Sequence, residues 1–156
     1  MTIRPAATAD AATLARLNDF VHALHVEHRP DVFHPPAAEA ELADRFRDFL
    51  GREDTLAFVA EVDARPIGYV AATIHRNPGG VLNRPRRFVM IEHIVVDTWH
   101  ARTGVGAALV EAVRVGGREA GCTAVVTDVW DFNGPAQAFF AALGFGPMRR
   151  WLEQPL

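Results

Sequence analysis

The stretch from Phe88 to Leu109, FVMIEHIVVDTWHARTGVGAAL, restricts what this chain can fold into more than any other. Phe88 to Val96 is a nearly continuous apolar and β-branched run, interrupted only by Glu92 and His93. That is the pattern of a central strand covered on both faces. A polar turn, Asp97 to Thr103, follows. Gly104-Val105-Gly106 then opens a segment whose apolar residues Val105, Ala108, Leu109, Ala112 and Val113 recur at helical spacing. The unit is therefore strand, glycine-bearing turn and helix, with Arg102 and Thr103 at the turn.

Such a unit is an anion site. The first amides of a helix have no intrahelical acceptor and carry the positive end of its dipole. Glycines at 104 and 106 leave out the Cβ atoms that would hold a phosphate away from those amides, and Arg102 adds a positive charge. A diphosphate suits the place. A dinucleotide fingerprint needs a third glycine where this chain has Leu109, and a P-loop needs a lysine, of which the sequence has none.

The remainder of the chain bounds the answer. A chain of 156 residues is one domain of ordinary size, with roughly 68–70% of its extended surface buried on folding. Its formal charge of −3 argues against nucleic acid as a partner, because affinity for a phosphate backbone needs a basic stripe. Arg84, Arg86 and Arg87 form only a local basic patch. Cys122 is the single cysteine, so no internal disulfide forms. The start, MTIRPAATAD, has no basic-then-apolar leader and no run approaches the ~20 apolar residues of a membrane span. A cytoplasmic protein without membrane contact is the expectation.

In order, Thr2 to Pro5 alternates like a short strand, and Thr8 or Asp10 can cap a helix through Leu24. His22, His25 and His28 lie along it, but their placement round the helix and the lack of a completing ligand argue against a metal site. Glu27 to Pro36 is proline-rich and leads, as a loop with Phe33 and His34 at its tip, into a helix over Ala38 to Leu50. Strands are expected at Thr55 to Val62 and Ile67 to Ile74, joined by a hairpin at Asp63 to Pro66, and again at Ala124 to Val129. Asn133 can cap a helix over Pro135 to Leu143 that Gly144 ends. Phe145 to Leu152 reads as a last strand.

Two motifs in this order resemble a known family. Arg102-Thr103-Gly104-Val105-Gly106 after a strand ending in Val96-Asp97 is similar to the coenzyme A loop of the GNAT superfamily of N-acetyltransferases, although the strict pattern puts Arg or Gln at Ala101. Asn133-Gly134-Pro135-Ala136 through Phe139-Phe140-Ala141-Ala142-Leu143-Gly144-Phe145 resembles the family's Asn-x-x-Ala-x-x-Phe-Tyr-x-x-Leu-Gly-Phe. The resemblance implies a single GNAT N-acetyltransferase domain over residues 1–156. Its α/β (α+β) fold would be a central mixed, mostly antiparallel sheet splayed into a V and flanked by about four helices. Acetyl-CoA would be the co-substrate. Its pantetheine arm would bond the backbone of Ile94, Val95 and Val96, and its diphosphate would rest on Arg102, Thr103, Gly104, Val105, Gly106 and Ala107. Asn133 and Phe140 would lie near the thioester. The family usually has two strands after the last helix and this tail has room for one, leaving an edge either exposed or paired in a homodimer.

The implied reaction moves acetyl from acetyl-CoA to a primary amine of a small molecule by direct transfer in a ternary complex. An alkylamine is protonated at neutral pH, and presenting it neutral costs roughly 4.6 kcal/mol. Glu92, which aligns with the base of the polyamine-acetylating branch, is the expected base, because a carboxylate within an apolar strand is pushed toward neutrality. His93, by strand alternation, is expected on the opposite face. Phe33, His34, Trp130 and Asp131 are expected to line the acceptor side, where acidic and aromatic groups suit a cation. Phe140 stands where many members carry the Tyr that protonates the leaving thiolate. That departure keeps a non-catalytic acyl-CoA-binding or regulatory module open as the alternative, as is acetylation of a peptide N-terminus.

Overall fold

A computed structural model describes residues 1–156. The elements are β1 (Thr2–Pro5), α1 (Ala11–His28), α2 (Glu39–Leu50), β2 (Thr55–Val62), β3 (Arg65–Asn77), β4 (Arg86–Val96), α3 (Val105–Glu119), β5 (Val125–Thr127) and α4 (Gly134–Ala142), with single 3-10 turns at Thr8–Asp10 and Thr98–His100. The strands form one sheet in the order β1-β2-β3-β4-β5. Every pairing is antiparallel except β4 with β5, which α3 joins as a crossover. No helix is long and apolar enough to cross a membrane.

The sheet is covered on both sides, which is why the middles of β3 and β4 read as nearly continuous apolar runs. On one face Val105, Leu109, Val110 and Val113 of α3 pack on Val70, Ala72, Val89 and Ile91. On the other, Leu14 and Leu17 of α1 and Ala43 and Phe46 of α2 cover Val59, Tyr69, Ala71 and Val95. The single tyrosine is buried there, and its hydroxyl donates to Asn18 Oδ1 at 3.0 Å. Desolvation pushes the Tyr69 pKa far upward.

Ile91 and Val95 lie on opposite faces although four residues apart, which strict alternation forbids. The ladder explains it: Ala72 faces Ile91 and Ala71 faces His93, so Glu92 is an extra residue, a β-bulge. The bulge inverts the alternation from that point on. His93 therefore shares the α1/α2 face with Val95, the face to which its own parity assigns Glu92, and the expectation that the two side chains point apart is corrected.

Two boundaries also differ from the sequence expectation. Helix α1 continues past Leu24 to His28, because the first residue unable to remain helical is Arg29, which precedes Pro30. Residues 145–156 form no strand. Pro147 has no N–H to donate, and β5 is a three-residue strand that offers little to pair with.

The amino-terminal strand is anchored by Arg4, whose guanidinium donates to both carboxylate oxygens of Asp10 at 2.8 Å and to Glu61. The Arg4 bonds hold the Asp10 carboxyl below its usual value. Because the folded pKa is the lower one, this contribution is complete above the ordinary carboxylate range and disappears as pH falls through the folded value. Asp10→Asn should cost about 1–2 kcal/mol at neutral pH and weaken the loss of stability below pH 4, read from thermal melts across pH.

Candidate active site

The loop after β4 is built around left-handed residues. Asp97 accepts from Trp99 N and starts the turn at Thr98–His100, and Thr103 Oγ1 donates to His100 O at 2.7 Å. Arg102 and Gly104 have φ of 61° and 90°. Gly104 caps α3, and a Cβ there would meet no atom within 4 Å, so conformation and not space requires glycine. Gly106 has another reason: its Cβ would stand 3.0 Å from the Phe139 ring, so its missing side chain lets α3 approach α4. The amides of Arg102 through Ala107 donate to no acceptor in the chain, and Arg102 makes no ion pair. A concave run of free amides at a helix start fits a diphosphate.

This loop lies at the end of the gap between β4 and β5. The two strands pair only from Val89 to Ile91, and Thr127 Oγ1 bonds Ile91 O at the last paired position. Beyond it β4 keeps β3 on one side, through Val96, and has no strand on the other. The backbone of Ile94 to Val96 is thus available to an extended ligand. Only three residues of the expected strand Ala124 to Val129 pair, because the strands part.

A cavity of about 230 Å³ opens at the parting, with Ile94, Thr127, Val129, Asn133 and Phe140 on one side. Asn133 Oδ1 is occupied as the cap of α4, accepting from Ala136 N at 3.1 Å. Phe140 is buried edge-on between Phe139 and Phe145. The other side of the cavity is formed by Asn18, Val21, His22 and His25 of α1, with Phe33 and Trp130. The Phe33 and Trp130 rings meet edge to face at 5.5 Å, and Phe132 stacks on Trp130. His34 and Asp131 are not part of the lining. The His34 carbonyl accepts from His22 Nε2 at 2.9 Å and the Asp131 carbonyl from Gln137 Nε2. Their backbones support the wall, and the expectation of lining side chains is corrected.

Glu92 and His93 both border the cavity. The Glu92 side chain is 37% exposed, and His75 Nε2 lies 3.9 Å from its Oε1. The premise on which it was expected to act as base, enclosure in an apolar strand, does not hold, because the bulge presents it to the open cleft. His93 contacts the Phe46 ring edge-on and lies within the influence of His25 and His22. Desolvation by the protein packed around its ring pushes its pKa down, with those two histidines adding to the effect, although the residue keeps an exposed surface. Sequence reading passed over His93, Asn18, His22, His25 and Asp128 as site residues. The i, i+3 spacing of His22 and His25 was visible, but nothing in it says that Phe33 folds back against both rings. No group of three or more His, Cys, Asp and Glu side chains is arranged to hold a metal ion.

Known proteins share this fold. The chain is 28% identical to human N-acetyltransferase 8 over 105 residues, 67% of this chain and 44% of that protein, so it spans less than half of the relative's length. The BH1408 protein from Bacillus halodurans, in a mutant crystal structure, superposes with a TM-score of 0.93 at 29% identity, covering 100% of this chain and 99% of that one. An aminoglycoside N-acetyltransferase solved with coenzyme A shares the fold at a TM-score of 0.75 and 22% identity, over 99% of this chain and 93% of the other. The profile of the acetyltransferase (GNAT) family matches residues 18–145, from α1 through the Leu-Gly-Phe that closes α4. A splayed sheet with free amides where its strands part is thus found in a chain that belongs to the GNAT acetyltransferase family.

Proposed function

We propose that this protein is an acyltransferase that moves acetyl from acetyl-CoA to a primary amine of a small molecule by direct transfer in a ternary complex. The observation that carries the reading is the run of unpartnered amides from Arg102 to Ala107, placed at the end of the β4–β5 gap. Acetyl-CoA supplies an activated acetyl thioester. The loop amides with Arg102 hold its diphosphate, and the backbone of Ile94 to Val96 takes the extended arm as a strand would. The thioester then lies beside Asn133 and Phe140, on the wall shared with the acceptor.

The acceptor half supports an amine of a particular kind. Its walls set Phe33, Trp130 and Val21 beside Asn18, His22 and His25, and Glu92 and Asp128 are the only carboxylates among its lining residues. One ammonium on an apolar or aromatic body fits this better than a polycation. Glu92, open to the cleft, attracts and holds that ammonium. Phe140 has no proton to give, so the departing thiolate takes its proton from water.

A thiol-release screen of acetyl-CoA against arylalkylamines, amino acids, polyamines, aminoglycosides and short peptides tests the reading. Steady release with a monoamine is the expected result, and no release with any of them overturns it. Glu92→Gln should raise the KM for the active amine roughly tenfold with a smaller effect on kcat, the pattern of lost substrate binding. An unchanged KM would remove Glu92 from the acceptor site.

A further inference from the structure

The bulge at Glu92 brings a second titratable group onto the acceptor face, and its surroundings differ from those of the carboxylate. His93 borders the same cavity as Phe33 and Trp130 and sits two residues past Ile91, the last position where β4 pairs with β5. That is the level at which the strands part. Neither nitrogen of its ring has a hydrogen-bond partner in the chain, whereas His22 and His25 each have one ring nitrogen committed to a backbone carbonyl, of His34 and Val21. A carbonyl only accepts, so those nitrogens carry hydrogen and the two rings are held in place. His93 alone of the three is left with both nitrogens for a ligand.

We infer that His93 is the proton acceptor for the incoming amine, an assignment that rests on the acetyl-transfer reading above. An ammonium that becomes an amide loses two protons. One goes to an imidazole nitrogen of His93 as the neutral amine forms. The second is shed as the amine nitrogen bonds the acetyl carbon and the carbon–sulfur bond breaks. The sulfur leaves with the bonding electron pair and acquires a proton through water, and His93 then returns its own proton to solvent. No oxidant or reductant is involved.

The groups that face His93 favour this role. His22 and His25 approach from α1, Phe46 is the contact from α2, Ala71 is the β3 partner, and Glu92 and Asp128 complete the charged lining from β4 and the end of β5. Desolvation, then His25 and His22, keep the ring neutral at lower pH than an ordinary imidazole. A base must be unprotonated before it can act, and the downward shift favours that form.

The experiment is the pH dependence of kcat/KM for thiol release, using the amine most active with wild-type protein. Wild type should lose activity on the acid side with a midpoint below about 6.5. His93→Gln should lower kcat/KM at pH 7 by ~100-fold or more and abolish that acid limb, with acetyl-CoA affinity by calorimetry within threefold of wild type, as expected for loss of a general base. Replacing His22 and His25 together by Gln should move the midpoint up toward about 6.5. Should His93→Gln fold poorly, His93→Ala supplies the same test, with part of its turnover returning on addition of imidazole. An unchanged limb in His93→Gln, or a limb abolished by Glu92→Gln instead, overturns the assignment while leaving acetyl transfer intact. A wild-type protein that releases no thiol with any amine fails at the transfer reading itself and takes the His93 role with it.

Discussion

Gly104→Val should bind acetyl-CoA at least ~100-fold more weakly than wild type, measured by calorimetry, while the protein remains folded. Valine at φ 90° is excluded by its branched Cβ, so the residue must leave the left-handed region and turn the neighbouring amides away from their common focus. A hydrogen bond to a charged group contributes about 1.5–3 kcal/mol, and misaiming two of them already exceeds a hundredfold. Stability should suffer less, because a Cβ at this position meets nothing within 4 Å. Gly106→Ala provides the contrast. Its cost is steric, against the Phe139 ring, and a smaller residue at 139 should offset it. Unchanged acetyl-CoA affinity in Gly104→Val would remove the loop from the binding site, and with it the main support for the proposed reaction.

The second large effect lies in the core. Leu109 stands where a dinucleotide fingerprint would have glycine, and here it is fully buried between α3 and the sheet, among Val70, Val89 and Ile91. Leu109→Ala removes buried apolar atoms and leaves a cavity at a cost of about 3–5 kcal/mol. For a chain of this size that lowers Tm by roughly 6–20 °C in a thermal melt. Since native domains retain only about 5–15 kcal/mol, the variant sits near the limit of folding. A drop of a degree or less would mean that α3 does not depend on this contact.

Much of the architecture was legible because it depends on local spacing. The strand at Thr55 to Val62 forms with those bounds, and α2 begins one residue after its expected start. The alternation of apolar residues, the prolines at 30, 35 and 36 and the glycines at 121 and 144 act within a few residues of where they stand. The expected strand at Phe145 to Leu152 failed for the complementary reason. Pro147 already weakens it, and a strand exists only where a neighbour supplies the other half of the ladder, which is not encoded in the segment itself.

The candidate site divides in the same way. The amino-acid sequence alone determined the strand, turn and helix of the anion loop, the family motifs and the absence of a tyrosine at Phe140, since each is read from residues adjacent in the chain. Only the tertiary structure decided that Glu92 is a bulge residue, that His93 turns to the same face, and that Phe33 and Trp130 meet across the cleft while His34 and Asp131 contribute backbone. A bulge arises from register between two strands, and a wall forms where loops far apart in the chain pack together. Both depend on partners distant in sequence, to which local periodicity carries no information.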